Sequence, residues 1–149
     1  MHGNSSSRVE AIDTVPFLLA SNITLFCFDF AGCGISEGEY ISLGWYERED
    51  LSVIVEYLRK NRRVSTIGLW GRSMGAVTAL LYGDRDPSIG GMVLDSPFSS
   101  MKFLVNELAK AHTKIPGIFV SGALKLIKRT IKSKAKFDIL KLTPIEHVG

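Results

Sequence analysis

Three apolar runs alternate with two amphipathic stretches along the first two thirds of the 149-residue chain. The runs cover residues 23–30, 65–70 and 90–95 and have the continuous apolar character of buried parallel strands. Between them, apolar residues recur at helical spacing over about residues 45–60 and 74–82. This order of strands and helices predicts an α/β fold with a parallel sheet.

Both flanks of the alternating region also have helical patterns. Residues 8–20 carry apolar positions on one side and follow three serines, which are good helix caps. Pro16 lies inside this stretch, so we expect a kink or two short pieces. After Pro97 the alternation stops, and two further helices are predicted, one around residues 101–108 and a Lys-rich one over residues 119–131.

The composition indicates one soluble globular domain. Hydrophobic residues make up 46% of the chain, which is enough for a sizeable core. The net charge of +3 is too small to indicate a nucleic-acid partner. The charge is unevenly distributed, because residues 1–109 have a net charge of −4 and residues 110–149 a net charge of +7.

The cysteines and the hydropathy pattern predict a cytoplasmic protein without a metal or another cofactor. Cys27 and Cys33 have neither the spacing of a disulfide framework nor the Cys and His neighbours of a zinc site. The residues after Met1 lack the basic and apolar regions of a signal peptide, and no apolar run approaches the roughly 20 residues of a membrane span. We therefore expect free thiols in a reducing compartment.

A pentapeptide at the junction of the second predicted strand and the next helix indicates chemistry. The sequence there is Gly71-Arg72-Ser73-Met74-Gly75. A sharp strand-to-helix turn needs glycine two residues on either side, because a Cβ there would collide with the neighbouring strand or helix. Such a turn exposes the serine hydroxyl, and the amide of Met74 would face a developing oxyanion. The alternative is an ordinary tight turn with a capping serine.

The chain resembles α/β-hydrolases, in the branch of serine aminopeptidases and monoacylglycerol lipases, at four successive landmarks: HGNSSSR, DFAGCGISEGEY, GLWGRSMGA and VLDSPF. They cover most of residues 2–98 in the family's order. The resemblance implies a three-layer α/β/α fold and cleavage of an ester, thioester or amide of a small acyl substrate through an acyl-enzyme. It also implies site residues, with Ser73 as the nucleophile, the amides of Asn4 and Met74 as oxyanion donors, and Gly71 and Gly75 as turn glycines.

The same resemblance divides the chain into three parts. Residues 1–98 would form a partial hydrolase core, residues 99–136 a helical segment similar to the family's lid, and residues 137–149 a connection toward the rest of the core. The family's N-terminal strands, which precede the position of His2, and its last two strands have no counterpart in this sequence. We therefore expect an internal piece of a longer hydrolase.

No catalytic base or acid for Ser73 is evident in the sequence. The family order is serine, acid, histidine, with the last two in loops after further strands. His112 falls on the predicted lid helix, and His147 lies next to the end of the chain. Asp95 is better explained as a structural corner, and no pattern supports Asp138. Residues 1–149 alone are therefore expected to be inactive, and a non-catalytic binding module is the competing interpretation.

Two further features of the sequence are candidates for other functions. The glycine-rich segment 32–38 does not fit a nucleotide site, because its third glycine comes one place too late and a loop follows. The Lys-rich helix is open to two interpretations. We favour a solvated helix face, and the alternative is a weak contact with an anionic membrane surface through Lys125, Lys128, Arg129 and Lys132.

Overall fold

The chain divides into two compact units, Met1–Pro97 and Phe98–Gly149. The computed structural model describes residues 1–61, 63–112 and 117–148, with side chains for all of these except 109–112 and 117–124. Ser73 and both of its flanking glycines belong to the first unit.

The helices of the first unit form where the apolar periodicity predicts them. A 3-10 helix spans Arg8–Thr14 and is followed directly by α1, Val15–Ala20, so the predicted division into two short pieces is confirmed. Helix α2 covers Glu47–Arg59. Its first turn carries three acidic residues and its last turn a basic one, which is the arrangement that the helix dipole favours.

Two parallel strands with a helix between them form the sheet of the first unit. Strand β1 is Gly68–Arg72, strand β2 is Gly91–Asp95, and α3, Met74–Gly83, connects them. The register begins with Gly68 opposite Gly91 and continues without a bulge to the end of both strands. This β1-α3-β2 unit confirms the parallel α/β class.

The prediction of a strand at residues 23–30 is wrong. The described sheet contains β1 and β2 alone, and the side chains of this segment are exposed or half-buried except for Phe30. Met1 lies beside β1 instead. Its amino group donates to the carbonyl oxygen of Trp70 at 2.5 Å, and its carbonyl oxygen accepts from the amide of Arg72 at 3.2 Å. These two bonds have the pattern of a parallel pair, so Met1 takes the position next to β1.

Helix α3 anchors the first unit. Nine of its ten residues, from Met74 to Tyr82, are buried. This burial suits a helix that is apolar around its whole circumference. The helix contacts both strands and α2, and a core cluster of Leu51, Val55, Leu69, Ala79 and Tyr82 joins it to α2 and β1. The packing holds the first turn of α3 in place next to the end of β1.

The second unit contains the two helices that are predicted after Pro97. Its elements are α4, Met101–His112, α5, Gly117–Ala135, and two 3-10 helices, Ile139–Lys141 and Pro144–His147. The amide of Met101 donates to the carbonyl oxygen of Leu142 at 2.9 Å, so the segment after α5 returns to the start of α4. Among the described residues, none of the helices combines the length and the apolar character that crossing a bilayer requires.

Candidate active site

Ser73 is the single residue between the end of β1 and the start of α3. Its backbone has a φ of 51° and a ψ of −113°, a conformation that residues with a Cβ rarely adopt. Such strain typically costs about 1–3 kcal/mol and persists only where the surrounding structure enforces it. The side chain is half-buried at the carboxyl end of β1. The turn therefore presents a serine, partly open to solvent, at the N-terminus of a buried helix.

The two glycines of the pentapeptide occupy positions where no side chain fits. A Cβ on Gly71 would overlap the carbonyl group of Gly75 in the first turn of α3. A Cβ on Gly75 would lie 2.5 Å from the carbonyl oxygen of Met1 and 2.8 Å from that of His2. These neighbours are main-chain atoms, which cannot rotate away. Glycine at both positions therefore lets β1, α3 and the first two residues of the chain meet at the turn.

Met74 provides the first amide of helix α3. The amides of the first helical turn have no acceptor inside their own helix, so they are available to an anion at the helix end. The Met74 side chain is fully buried with Phe30 and Cys33, which fixes this end of the helix. The position of the amide next to Ser73 suits an oxyanion donor, and that role stays a prediction.

The segment that contains Asn4 also lies against the Ser73 turn. His2 and Gly3 are buried there, whereas Asn4 is exposed. The amide of Gly3 already donates to Oε2 of Glu10 at 3.2 Å, so it is not free to bind an oxyanion. Asn4 is the next amide along this segment, and its role as the second donor stays a prediction.

Glu10 forms an ion pair with the residue that precedes the serine. Its carboxylate accepts from Nε of Arg72 at 2.6 Å and from Nη2 at 2.8 Å. The hydrogen bond from Arg72 is the main reason that the pKa of Glu10 is lowered to about 2. Sequence reasoning missed this pair, because 62 residues separate its members and no periodic pattern relates them.

His2, the one histidine of the first unit, has a hydrogen-bond partner at each of its ring nitrogens. Its ring is buried and packs edge-on against Phe30, with 5.1 Å between ring centroids. Nε2 accepts a hydrogen bond from the amide of Phe30 at 3.2 Å. The proton is therefore on Nδ1, which lies 2.9 Å from the carbonyl oxygen of Gly3. Both ring nitrogens are thus occupied.

The other two histidines, His112 and His147, belong to the second unit. His112 is the last residue of α4, and its side chain lies outside the described residues. His147 is half-buried at the end of the last 3-10 helix.

The two candidate acids have other hydrogen-bond partners. Oδ1 of Asp95 accepts from the hydroxyl of Ser96 at 2.7 Å. Asp138 accepts from Nζ of Lys128 at 2.8 Å and from the amide of Leu140 at 3.2 Å. The hydrogen bond from Lys128 lowers the pKa of Asp138. These contacts agree with a structural role for both carboxylates.

A cavity of about 670 Å³ opens on another part of the first unit, between residues 27–37 and helix α2. Its lining includes Cys27, Asp29 and Asp50 but not Ser73. The Asp29 carboxylate is engaged, because it accepts from the amide of Arg8 at 2.6 Å and from its guanidinium at 2.5 Å. Within the described parts of the chain, no three His, Cys, Asp or Glu residues are grouped as metal ligands.

Comparison with known proteins identifies the family. The model of the family described as serine aminopeptidase, S33, matches residues 1–140. The chain belongs to this family. The S33 chain is also similar to solved structures of the Pyrococcus furiosus esterase Pf2001. One of them has a TM-score of 0.69 and 28% identity, covering 93% of this chain and 55% of the esterase chain. The chain therefore has part of the α/β-hydrolase fold.

Two bacterial relatives extend the similarity. Over 118 residues the S33 chain is 30% identical to the uncharacterized protein YqkD of Bacillus subtilis, which covers 77% of this chain and 39% of YqkD. Over 110 residues it is 28% identical to the uncharacterized protein YfhR of Escherichia coli K12, covering 72% of this chain and 38% of YfhR. The chain thus spans about two fifths of the length of these relatives.

Proposed function

We propose that Ser73 is the nucleophile of a serine hydrolase that cleaves an ester, thioester or amide of a small acyl substrate. The observation that carries this proposal is the strained backbone of Ser73 at the junction of β1 and α3. A non-glycine residue with positive φ at this point is what a nucleophile turn requires, whereas an ordinary capping serine has extended backbone angles. The likeness to an esterase structure supports an ester as the substrate.

The reaction would follow the acyl-enzyme route. Oγ of Ser73 bonds to the acyl carbon as a base takes its proton, and the amides of Asn4 and Met74 stabilise the oxyanion. The bond to the leaving group then breaks, and the proton passes to that group. A water molecule attacks the acyl carbon next, which releases the acid and restores the serine hydroxyl.

We propose further that residues 1–149 alone do not turn over substrate. The support is that His2, the histidine in the unit of Ser73, is held by Phe30 and Gly3. A serine without a base loses most of its reactivity. The same observation favours the second candidate function, a hydrolase-like binding module without catalysis.

Labelling with a fluorophosphonate probe distinguishes these candidates, because the probe reacts with activated serines. The full-length gene product is labelled in its wild-type form, as Ser73→Ala and as Ser65→Ala. Ser65 is a matched control, since it is an exposed serine that precedes the opposite end of β1. We expect labelling of the wild type and of Ser65→Ala, and none of Ser73→Ala.

Each outcome of this labelling experiment leads to a different conclusion. Equal labelling of wild type and Ser73→Ala contradicts Ser73 as the nucleophile. No labelling of any form favours the binding module. Hydrolysis of a p-nitrophenyl ester by residues 1–149, lost in Ser73→Ala, contradicts the proposed dependence on a base from elsewhere.

We propose that the helices of residues 99–136 act as the lid and that the basic residues of α5 form a solvated helix face, with a weak contact with anionic membranes as the alternative. Lys125, Arg129 and Lys132 recur at helical spacing and are exposed, as is Leu126, which is 68% exposed. Lys128 contributes less than the sequence suggests, because it is paired with Asp138 at 2.8 Å. Each remaining basic residue would contribute about 1 kcal/mol at an anionic surface.

Sedimentation with phosphatidylserine-containing vesicles tests this contact. A solvated face predicts no sedimentation of the wild type, whereas a contact through α5 predicts binding that Lys125→Glu/Arg129→Glu reduces and Lys102→Glu/Lys141→Glu leaves unchanged. The control changes the net charge of the same unit equally at exposed lysines outside α5. Equal loss in both double variants would reveal a general charge effect and contradict a contact through α5.

We also propose a cytoplasmic location. Cys27 and Cys33 are both free thiols, and burial raises the pKa of the Cys33 thiol, which favours its protonated form. Unpaired cysteines are typical of proteins in reducing compartments.

A further inference from the structure

We propose that Glu10 is a positioning residue for the oxyanion hole, because its carboxylate joins the residue before Ser73 to the residue before Asn4. This inference rests on the proposed function. One of the two segments that Glu10 joins leads to the amide of Met74, and the other contains the amide of Asn4. The distance between these segments therefore sets the distance between the two amides assigned to the oxyanion.

The geometry of the carboxylate supports this role. Oε1 of Glu10 accepts from Nε of Arg72 at 2.6 Å. Oε2 accepts from Nη2 of Arg72 at 2.8 Å and from the amide of Gly3 at 3.2 Å. One side chain thus bonds the end of β1 and the segment 2–4 together, and it uses both oxygens to do so. A bidentate pair of this kind fixes orientation as well as distance.

Gly3 adds a second restraint. A Cβ at this position would lie 3.1 Å from Nη2 of Arg72, so the guanidinium rests closely against the Gly3 backbone. The Glu10 side chain is 22% exposed and that of Arg72 49%. The guanidinium is held in place by a carboxylate on one side and by a peptide on the other.

The arrangement matters for catalysis because an oxyanion hole depends on spacing. Its donors stabilise the transition state when they lie about 2.7–3.1 Å from the position of the oxyanion. Met74 is fixed by the packing of α3, whereas Asn4 is exposed. Glu10 restrains the amide that precedes Asn4, so it restrains the less constrained of the two donors.

The fold does not depend on this carboxylate alone. Without Glu10 the first residues stay attached to β1 through the bonds of Met1 to Trp70 and Arg72, and to Phe30 through the ring of His2. A variant at position 10 is therefore expected to fold, and its effect on the reaction can be measured.

The test uses steady-state kinetics of the full-length gene product with a soluble ester. We expect Glu10→Ala to lower kcat about 10-fold to 100-fold, less than the loss of a whole oxyanion donor, while KM changes less than about 2-fold. Binding of a trifluoromethyl ketone, which forms a tetrahedral adduct with serine, should weaken by the same factor as kcat. Arg72→Ala should have a similar effect, and the double variant should lose little more.

Asp86→Asn is the matched control. Asp86 forms a similar ion pair with Arg59 at 2.8 Å on the same unit, away from the turn. The Asp86→Asn variant should keep the wild-type kcat.

Three results would overturn the inference. The first is an unchanged kcat in Glu10→Ala. The second is a loss of kcat in Glu10→Ala that is fully explained by a smaller number of titratable active sites. The third is a wild type without Ser73-dependent hydrolysis, which overturns the proposed function as well. An unchanged kcat in Glu10→Ala beside an inactive Ser73→Ala overturns the role of Glu10 alone.

Discussion

The main-chain amide of Ser73 donates a 2.7 Å hydrogen bond to the carbonyl oxygen of Asp95. This bond belongs to the last pair of the β1-β2 ladder, Arg72 opposite Asp95, because in a parallel pair the amide of the next residue donates to the partner's carbonyl group. The carbonyl oxygen of Ser73 accepts from the amide of Val77 at 3.0 Å, which is the first bond of α3. The residue therefore belongs to the sheet through its amide and to the helix through its carbonyl group. Its strained backbone is the consequence of satisfying both.

Replacing Ser73 by glycine should stabilise the protein. Glycine relieves strain of about 1–3 kcal/mol and loses roughly 0.5–1 kcal/mol through the greater entropy of the unfolded chain. We expect the free energy of unfolding of Ser73→Gly, measured with urea, to rise by about 1 kcal/mol. Ser73→Ala keeps the Cβ and the strain, so its stability should match the wild type. Equal stabilities of the two variants would show that the positive φ is not strained.

A methyl group at Gly75 should destabilise the turn. The added Cβ would meet the carbonyl oxygens of Met1 and His2 at 2.5 and 2.8 Å, so we expect Gly75→Ala to lower the free energy of unfolding by about 1–3 kcal/mol. Gly91→Ala is the control, because a Cβ there meets no atom within 4 Å. Urea unfolding should show Gly91→Ala at or slightly above wild-type stability. A stable Gly75→Ala would mean that the first two residues move aside at little cost.

Glu47 organises the loop before α2 from a buried position. Its carboxylate accepts from the amide of Ser42 at 2.7 Å, from the hydroxyl of Ser42 at 2.5 Å and from the amide of Gly44 at 2.8 Å. Glutamine has a single side-chain oxygen, and its NH₂ group would face these donors. We expect Glu47→Gln to lower the free energy of unfolding by about 1–3 kcal/mol.

Glu56→Gln is the control for this change. Glu56 lies on the same helix, is 68% exposed and forms an i,i+4 pair with Lys60. Such a pair contributes at most about 0.5 kcal/mol. Thermal or urea unfolding of both variants should therefore separate them clearly, and similar losses would contradict a special role for the buried carboxylate.

The Glu10–Arg72 pair should make stability depend on pH in the acid range. Because the pKa of Glu10 falls from 4.5 to about 2 on folding, the folded state binds this proton more weakly than the unfolded state. The stabilisation is therefore fully present above pH 4.5 and is lost as pH falls toward about 2. It amounts to about 1 kcal/mol, since the pair is partly exposed.

Urea unfolding of the wild type and of Glu10→Gln between about pH 2 and pH 7 measures this effect. The difference in unfolding free energy should be constant near neutral pH and should shrink in acid. A difference that does not change with pH would mean that the carboxylate gains no stability from Arg72.

The sequence predicts the helices and the Ser73 turn well because local residues determine them. The apolar periodicity of α2 and α3 predicts their ends to within a few residues. The turn at Ser73 is predicted because its steric requirement for glycine involves residues within a five-residue segment. The start of β1 is less local. It begins at Gly68 rather than at residue 65, since pairing starts where its partner Gly91 begins.

The errors and omissions come from contacts between distant residues. An apolar run such as 23–30 predicts a buried strand, but a strand also needs a hydrogen-bonded neighbour, and the position beside β1 is taken by Met1. The bond between Glu10 and Arg72 has no periodic or local signal. The resemblance to the family that the sequence shows rests on the pentapeptide and the landmarks around it, which are again local patterns.

The burial of α3 has a consequence for hydrogen exchange. Amide protons in a helix whose residues are buried on every side exchange with solvent only when the surrounding unit opens as a whole. The amides of α3 from Val77 onward, which donate within the helix, should thus be among the slowest of the first unit to take up deuterium. The exposed loop that carries Asn4 should exchange early. The side of the candidate site formed by α3 therefore opens only when the whole first unit opens, whereas the side that carries Asn4 opens by local motion.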